Sequence, residues 1–177
     1  MKKFFNYVLL ALVTICFALP LAGKAEAAKV AVVPLANNVA GDELVGTIYM
    51  QEALALFRYP EFDLLGDDVV IAAIGSENGL ADYSKAALEK VAQATGADIV
   101  VAMQLDKLDV KRMPQRKEAT LKMDLRGKFA SLNTITGAYY SKDLRDSRTV
   151  EEAVTVRGDW KHEVFQNVVR SAFKKVG

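Results

Sequence analysis

A chain of 177 residues, 51% hydrophobic and 25% charged, falls within the range of one globular domain. Its formal net charge of +1, from 23 basic and 22 acidic residues, excludes the basic excess of a polyanion-binding protein. A single cysteine and a single histidine remove disulfide frameworks and bring metallohydrolases and Cys–His enzymes close to exclusion.

The amino end carries Lys2 and Lys3, an apolar run over 4–19, and Pro20. It closes on Ala25-Glu26-Ala27, the small-x-small pattern that signal peptidase reads. Cleavage before Ala28 is expected, with Ala25, Ala27 and Ala28 marking the site, residues 1–27 as signal peptide and 28–177 as one exported domain. The alternative is a retained anchor, since 4–22 is nearly long enough to span a bilayer. Asn6, Pro20 and the Ala-x-Ala pattern favour cleavage. Cys16 follows Ile15, not the small residue that a lipid-attachment cysteine requires, so lipidation is not expected. Cleavage takes away Lys2, Lys3, Lys24 and Glu26, leaving 20 basic and 21 acidic residues, net −1.

In chain order, the β-branched run 29–35 (KVAVVPL) predicts a buried strand ended by Pro34. Residues 36–41 read as a polar loop. Asp42 is placed to cap a helix up to Pro60, with Leu44, Val45, Ile48, Tyr49, Ala53, Leu56 and Phe57 as its apolar stripe. The run 61–65 predicts a short strand, and Asp67 caps a short helix that ends at Gly75. Residues 82–95 form an amphipathic helix with Ala87, Leu88, Val91, Ala92 and Thr95 on one face; Gly96 is its left-handed cap. The strand over 98–103 is apolar on both faces and therefore lies inside a sheet covered on both sides.

The second half changes period. Residues 105–113 read as a strand and 114–117 as a basic turn. Over 120–132, Leu121, Met123, Leu125, Gly127 and Phe129 alternate with Lys122, Asp124, Arg126 and Lys128, one face on the core and one in water. A turn over 133–137 leads to a returning strand over 138–144. Residues 145–152 read as a loop or frayed edge, and 153–156 as a further strand. Asp159 caps a final helix whose core face is Phe165, Val168, Val169, Ala172, Phe173 and Val176. The expected fold is α/β (α+β): a mixed sheet covered by helices, β-α-β-α-α-β, then antiparallel strands and a C-terminal helix.

The valine-rich KVAVVPL strand, the FDLLGDD turn, the junction LEKVAQATGADIVVAMQL and the hairpin LNTITGAYYSKDL together resemble a group of envelope modules. These are the amino-terminal domain of TolB, the curli-secretion component CsgG, and the lipoprotein activators of penicillin-binding proteins. Gly96-Ala97-Asp98 and Thr136-Gly137 stand where that family has its helix-to-strand junction and its later hairpin. The junction here continues into Ala102-Met103-Gln104, where the family has a glycine. The resemblance covers most of 29–177. It implies the fold and a periplasmic or envelope setting, and brings no catalytic residue, because such modules act by contact with other proteins.

His162, with Asp159 and Glu163 near it in sequence, reads better as a surface residue beside a helix cap than as a metal ligand. Residues 75–79 lack the lysine and spacing of a phosphate loop, and Asp67-Asp68 read as a helix start before a carboxylate pair. Lys111, Arg112, Arg116 and Lys117 read as a solvated hairpin tip. Tyr139 and Tyr140 place one ring on each face, one in the core and one as an exposed anchor.

The expectation is a non-enzymatic protein-interaction module without a cofactor, its candidate face Lys122, Asp124, Arg126, Lys128, Tyr139 and Tyr140. Its expected partners are other envelope proteins or further copies of itself, with no nucleic acid and at most peripheral membrane contact. One alternative is a subunit of a CsgG-like pore, which needs lipid-facing strands of about nine to eleven residues; only 120–132 reads as long enough. A small-ligand binder or hydrolase of envelope material is the other alternative, its sign being a pocket lined by Asp67, Asp82 and His162.

Overall fold

Ile99 to Met103 is apolar at every position and buried at every position. In the computed structural model, which describes residues 26–113, 120–151 and 160–176, this stretch opens the strand at the centre of a mixed sheet. The elements are β1 (Ala28–Val32), β2 (Ala36–Asn37), α1 (Leu44–Leu56), β3 (Phe62–Leu64), α2 (Asp67–Ile74), α3 (Lys85–Thr95), β4 (Ile99–Met113), β5 (Thr120–Asn133), β6 (Ala138–Glu151) and α4 (Trp160–Phe173). The sheet runs β3-β1-β4-β5-β6, with β2 also pairing with β4. Its first half is parallel and its second antiparallel, as the change of period predicts.

The two faces of the sheet make two cores, as the alternation of a strand requires. Ile99, Val101, Met103 and Leu105 pack under α1 and α4 with Tyr49, Phe165, Val169 and Phe173. Val100 and Ala102 pack under α2 and α3 with Val70, Leu88, Val91 and Ala92. Ser84 caps α3 by accepting from the Ala87 amide, and Gly96 closes it at φ 69, a left-handed value that favours glycine. Asp98 then explains its place after Gly96-Ala97. Its carboxylate accepts from the Lys29 amide at 2.9 Å, and its carbonyl accepts from the Thr134 hydroxyl at 3.0 Å. One residue thus ties β1, β4 and the β5–β6 turn together.

Several expectations are corrected. Within 36–41, Ala36 and Asn37 are not loop but pair in parallel with Gln104 and Leu105. The strands expected over 98–103 and 105–113 are one strand, β4, with a bulge between Leu105 and Lys107. The loop expected over 145–152 is, through Glu151, a continuation of β6, paired residue for residue with β5. Asp67 lies in the first turn of α2 behind Gly66 and makes no side-chain cap bond. Leu44 and Leu56 of the α1 stripe are exposed. Residues 114–117, 153–156 and Asp159 lie outside the described residues.

The α1–α4 contact holds one buried polar group without a partner among the described residues, the Tyr49 hydroxyl. Burial also pushes its ionisation far above the ordinary tyrosine value. An unsatisfied buried hydroxyl costs about 1–3 kcal/mol. Tyr49→Phe, which keeps the ring against Phe173, is therefore expected to raise the urea midpoint, by about 1 kcal/mol in stability. A lowered midpoint would show that the hydroxyl is bonded.

Candidate functional site

The sheet outgrows its helices. Beyond Gln104 on β4 and Lys128 on β5, the face that α2 and α3 cover elsewhere continues as a three-stranded arm. Pairing places Lys107 opposite Arg126, Asp109 opposite Asp124, and Lys111 opposite Lys122. Across β5, Lys128 faces Asp143, Arg126 faces Arg145, and Asp124 faces Ser147. Residues opposite one another share a face, so these side chains form one outward surface. The reverse of the arm is apolar toward its base, where Leu108, Met123, Leu125 and Leu144 are buried with Val164 and Trp160 of α4 in the same core, while Arg112, Asp146 and Arg148 share that face farther out.

Gly127 allows the arm to form. A Cβ there would lie 2.3 Å from the Gln104 carbonyl oxygen, on the bulged stretch of β4. The bulge shifts the register by one residue, so that Lys107 and Asp109 join the outward face while Leu108 stays in the core.

Charges on this face are interleaved. Lys107 lies 3.7 Å from both Asp109 and Asp124, and Lys122 lies 3.8 Å from Asp124. The Ser147 hydroxyl donates to Asp124 at 3.0 Å and, with these cations, holds its carboxyl below the usual range. Exposed pairs of this kind contribute about 0–1 kcal/mol each, so a partner can replace them at little cost. Lys107, Lys111, Lys122, Arg126, Lys128 and Arg145 outnumber Asp109, Asp124 and Asp143 even with Asp106 of the bulge added. The surface is basic on a chain close to neutral.

At the inner end of this face, Lys128 sits 6.0 Å from the centroid of the Tyr83 ring. The Tyr83 hydroxyl donates to the Met103 carbonyl at 3.3 Å, and its ionisation is pushed up to about 12, chiefly by burial and then by Asp106. Tyr139 is partly exposed, and its hydroxyl donates to the Tyr83 carbonyl at 2.7 Å, so this ring also tethers β6 to the segment before α3. Tyr140 packs against Phe129 in the core. The expected split of the two tyrosines is what the strand displays, and the six candidate residues fall on the arm and its base. Tyr140, on the core side, is not part of the outward face. Ala25 lies outside the described residues, and Ala28 is the first residue of β1.

Sequence reasoning missed a second constellation. His162 is buried, not on the surface, and its Nε2 lies 2.8 and 3.0 Å from the two carboxylate oxygens of Asp42. Lys161 donates to the same carboxylate. Asp42 therefore does not cap α1, whose N-cap is Glu43 without a side-chain bond. Desolvation works to raise the Asp42 pKa, but Lys161 and His162 outweigh it and hold the carboxyl below its usual value. A polar residue two positions before a helix reads as a cap, and nothing local marks a partner 120 residues away. Glu52 of α1 is held the same way, accepting from Arg170 at 2.7 and 2.9 Å and from Gln166 at 2.7 Å. Both clusters fasten α4 to the front of the fold.

The Glu52 carboxyl is depressed first by its Arg170 hydrogen bonds, against desolvation. A depressed folded pKa contributes stability that is present above the unfolded carboxylate range of roughly 4 and is lost as pH falls through the folded value. Stability should therefore fall between neutral pH and pH 3, and Glu52→Gln should make that fall shallower. Identical pH dependence of the two urea midpoints would contradict this.

Among the described residues no three potential metal ligands converge, and no helix is long and apolar enough to cross a membrane. Asp67, Asp82 and His162 do not share one of the described pockets. β4, β5 and β6 are 15, 14 and 14 residues long, so strand length is not confined to 120–132. Their outward face is charged, the opposite of the apolar band that lipid requires.

No protein-family model and no curated protein matches the chain. Among solved structures it is similar to lipoprotein GNA1162 from Neisseria meningitidis, at 15% identity over 84% of this chain and 97% of that one, with a TM-score of 0.48. It is similar to PelC from Paraburkholderia phytofirmans, described as a dodecamer, at 17% identity over 86% and 89%, TM-score 0.46. It is also similar to the C-terminal domain of LpoB from Escherichia coli, at 20% identity over 76% and 94%, TM-score 0.36.

Proposed function

We propose that this chain is an exported, non-enzymatic interaction module of the bacterial cell envelope, and that it binds a protein partner through the outward face of the β4–β6 arm. The observation that carries this reading is the arm itself. Three strands run beyond α2 and α3, carry a basic face that no helix covers among the described residues, and are backed by Leu108, Met123, Leu125 and Leu144, which pack toward α4 and give that face a fixed shape. A rigid scaffold beneath a set of exchangeable exposed ion pairs suits recognition of a partner with an acidic surface. The export setting rests on Lys2 and Lys3, the apolar run and Ala25-Glu26-Ala27. In this reading residues 1–27 are removed, Cys16 goes with them, and the domain works unlipidated in the periplasmic or envelope space.

Affinity capture from crosslinked envelopes tests the reading. The wild-type chain should recover a reproducible partner, and the double variant Lys122→Glu with Arg126→Glu should lose it while remaining folded. Recovery of the same partner by both chains would place the contact elsewhere.

A further inference from the structure

β6 is the outermost strand of the sheet and pairs only with β5, so its other edge has no strand partner among the described residues. An edge 14 residues long presents a row of unpaired backbone donors and acceptors, a ready template for another strand. Proteins commonly protect such edges with charge. Here the charges alternate in sign along the strand: Lys142, Asp143, Arg145, Asp146 and Arg148.

We infer that β6 is a self-complementary edge that pairs antiparallel with β6 of a second copy about a two-fold axis at Leu144, joining two sheets into one. The geometry of pairing restricts the registers. Opposed residues must point to the same face, so under a two-fold perpendicular to the sheet the axis passes through a residue position. An axis at Asp143, Arg145, Asp146 or Arg148 sets like charges against each other on the axis itself. An axis at Ser147 opposes Asp146 to Arg148 but leaves Arg145 opposite Thr149 and Leu144 opposite Val150, one kind of charge pair in place of two. An axis at Leu144 sets Asp143 opposite the partner's Arg145 and Lys142 opposite the partner's Asp146, each twice by symmetry. The same register puts Ser141 opposite Ser147, Tyr139 opposite Thr149, and Tyr140 opposite Arg148, whose guanidinium is held by Asp146 of its own strand at 2.9–3.2 Å. It uses the strand from Ala138 to Val150.

The surroundings of Leu144 agree with this axis. A groove of about 220 Å³ runs between β6 and α4, with Phe129 and Leu144 on the sheet side and Val168 and Ala172 on the helix side. Lys142, Asp143, Arg145, Asp146 and Lys175 line it as well, so in the paired arrangement the two grooves bring an apolar floor and a charged rim to the axis. Each α4 contacts its own β5, and three strand spacings of about 4.8 Å put the two β5 strands about 14 Å apart, more than the width of one helix, ~10–12 Å. Asp143 and Arg145 now pair only weakly within one strand, at 3.9 Å with side chains 68% and 79% exposed, so both can turn to a partner.

Sedimentation of the purified chain, in the form the cell retains, tests the inference without any envelope partner, so its failure is separate from failure of the arm-face reading. Wild type should sediment at twice the chain mass. Asp143→Arg alone and Arg145→Asp alone should each sediment as monomers, since each creates two like-charged pairs. An equimolar mixture of these two variants should regain the dimer mass, because every opposed pair is then of opposite sign. The double variant D143R/R145D should dimerise as wild type does. Unchanged circular dichroism separates loss of pairing from loss of fold. A monomeric wild type, a dimer indifferent to the single reversals, a mixture that stays monomeric, or a larger ring would each overturn the inference.

Discussion

Phe173→Ala is expected to lower the free energy of unfolding by about 3–5 kcal/mol, a large share of the roughly 5–15 kcal/mol that holds a domain of this kind. Phe173 is 2% exposed and is the meeting point of three rings. Its centroid lies 5.5 Å from Tyr49, 5.9 Å from Phe129 and 6.0 Å from Phe57. It therefore joins α4 to α1 and to β5 at once, and truncation leaves a cavity that three elements border. Urea titration at neutral pH measures it. A loss below about 1 kcal/mol would mean that α4 is docked by Glu52–Arg170 and Asp42–His162 and that the aromatic cluster adds little.

Gly127→Ala carries the second large effect, with a different cause. The added methyl would sit 2.3 Å from the Gln104 carbonyl oxygen and 3.4 Å from Leu105 Cα. Backbone atoms, not a flexible side chain, must move. Overpacking of this kind costs about 1–3 kcal/mol or more. The damage should concentrate in the arm: amide exchange in β4 beyond Leu105 and in β6 should accelerate, while Ile99–Met103 keeps its protection. Uniform acceleration across β4 would mean that the arm and the central sheet open as one unit.

The central strand was legible because burial on both faces leaves no alternation, and Ile99–Met103 has none. The period-two pattern of β5 was legible for the opposite reason. What escaped were features whose cause lies far along the chain. β4 looked like two strands because Gln104 and Asp106 interrupt the apolar run, yet the bulge absorbs the break and pairing continues to Met113. β6 looked frayed past Leu144 because its residues are mostly charged. It persists because β5 supplies a partner for every residue to Glu151. Asp42 and His162 each had a local reading, cap and surface residue, and tertiary contact overrode both. Of the candidate site, Lys122, Asp124, Arg126 and Lys128 were readable from alternation alone. The contributions of Lys107, Lys111 and Arg145 were not, since they depend on the bulge and on the length of β6.

The claim that the arm's outward face is where this protein meets its partner is tested most directly by photo-crosslinking in intact cells. A photoreactive residue is placed in turn at Lys111, Lys122 and Arg126 on the outward face, and at Gln93 of α3 and Lys174 just after α4. The prediction is one shared crosslinked product from the three arm positions and none of that size from the other two positions. A product that forms from Gln93 or Lys174 and not from the arm would contradict it.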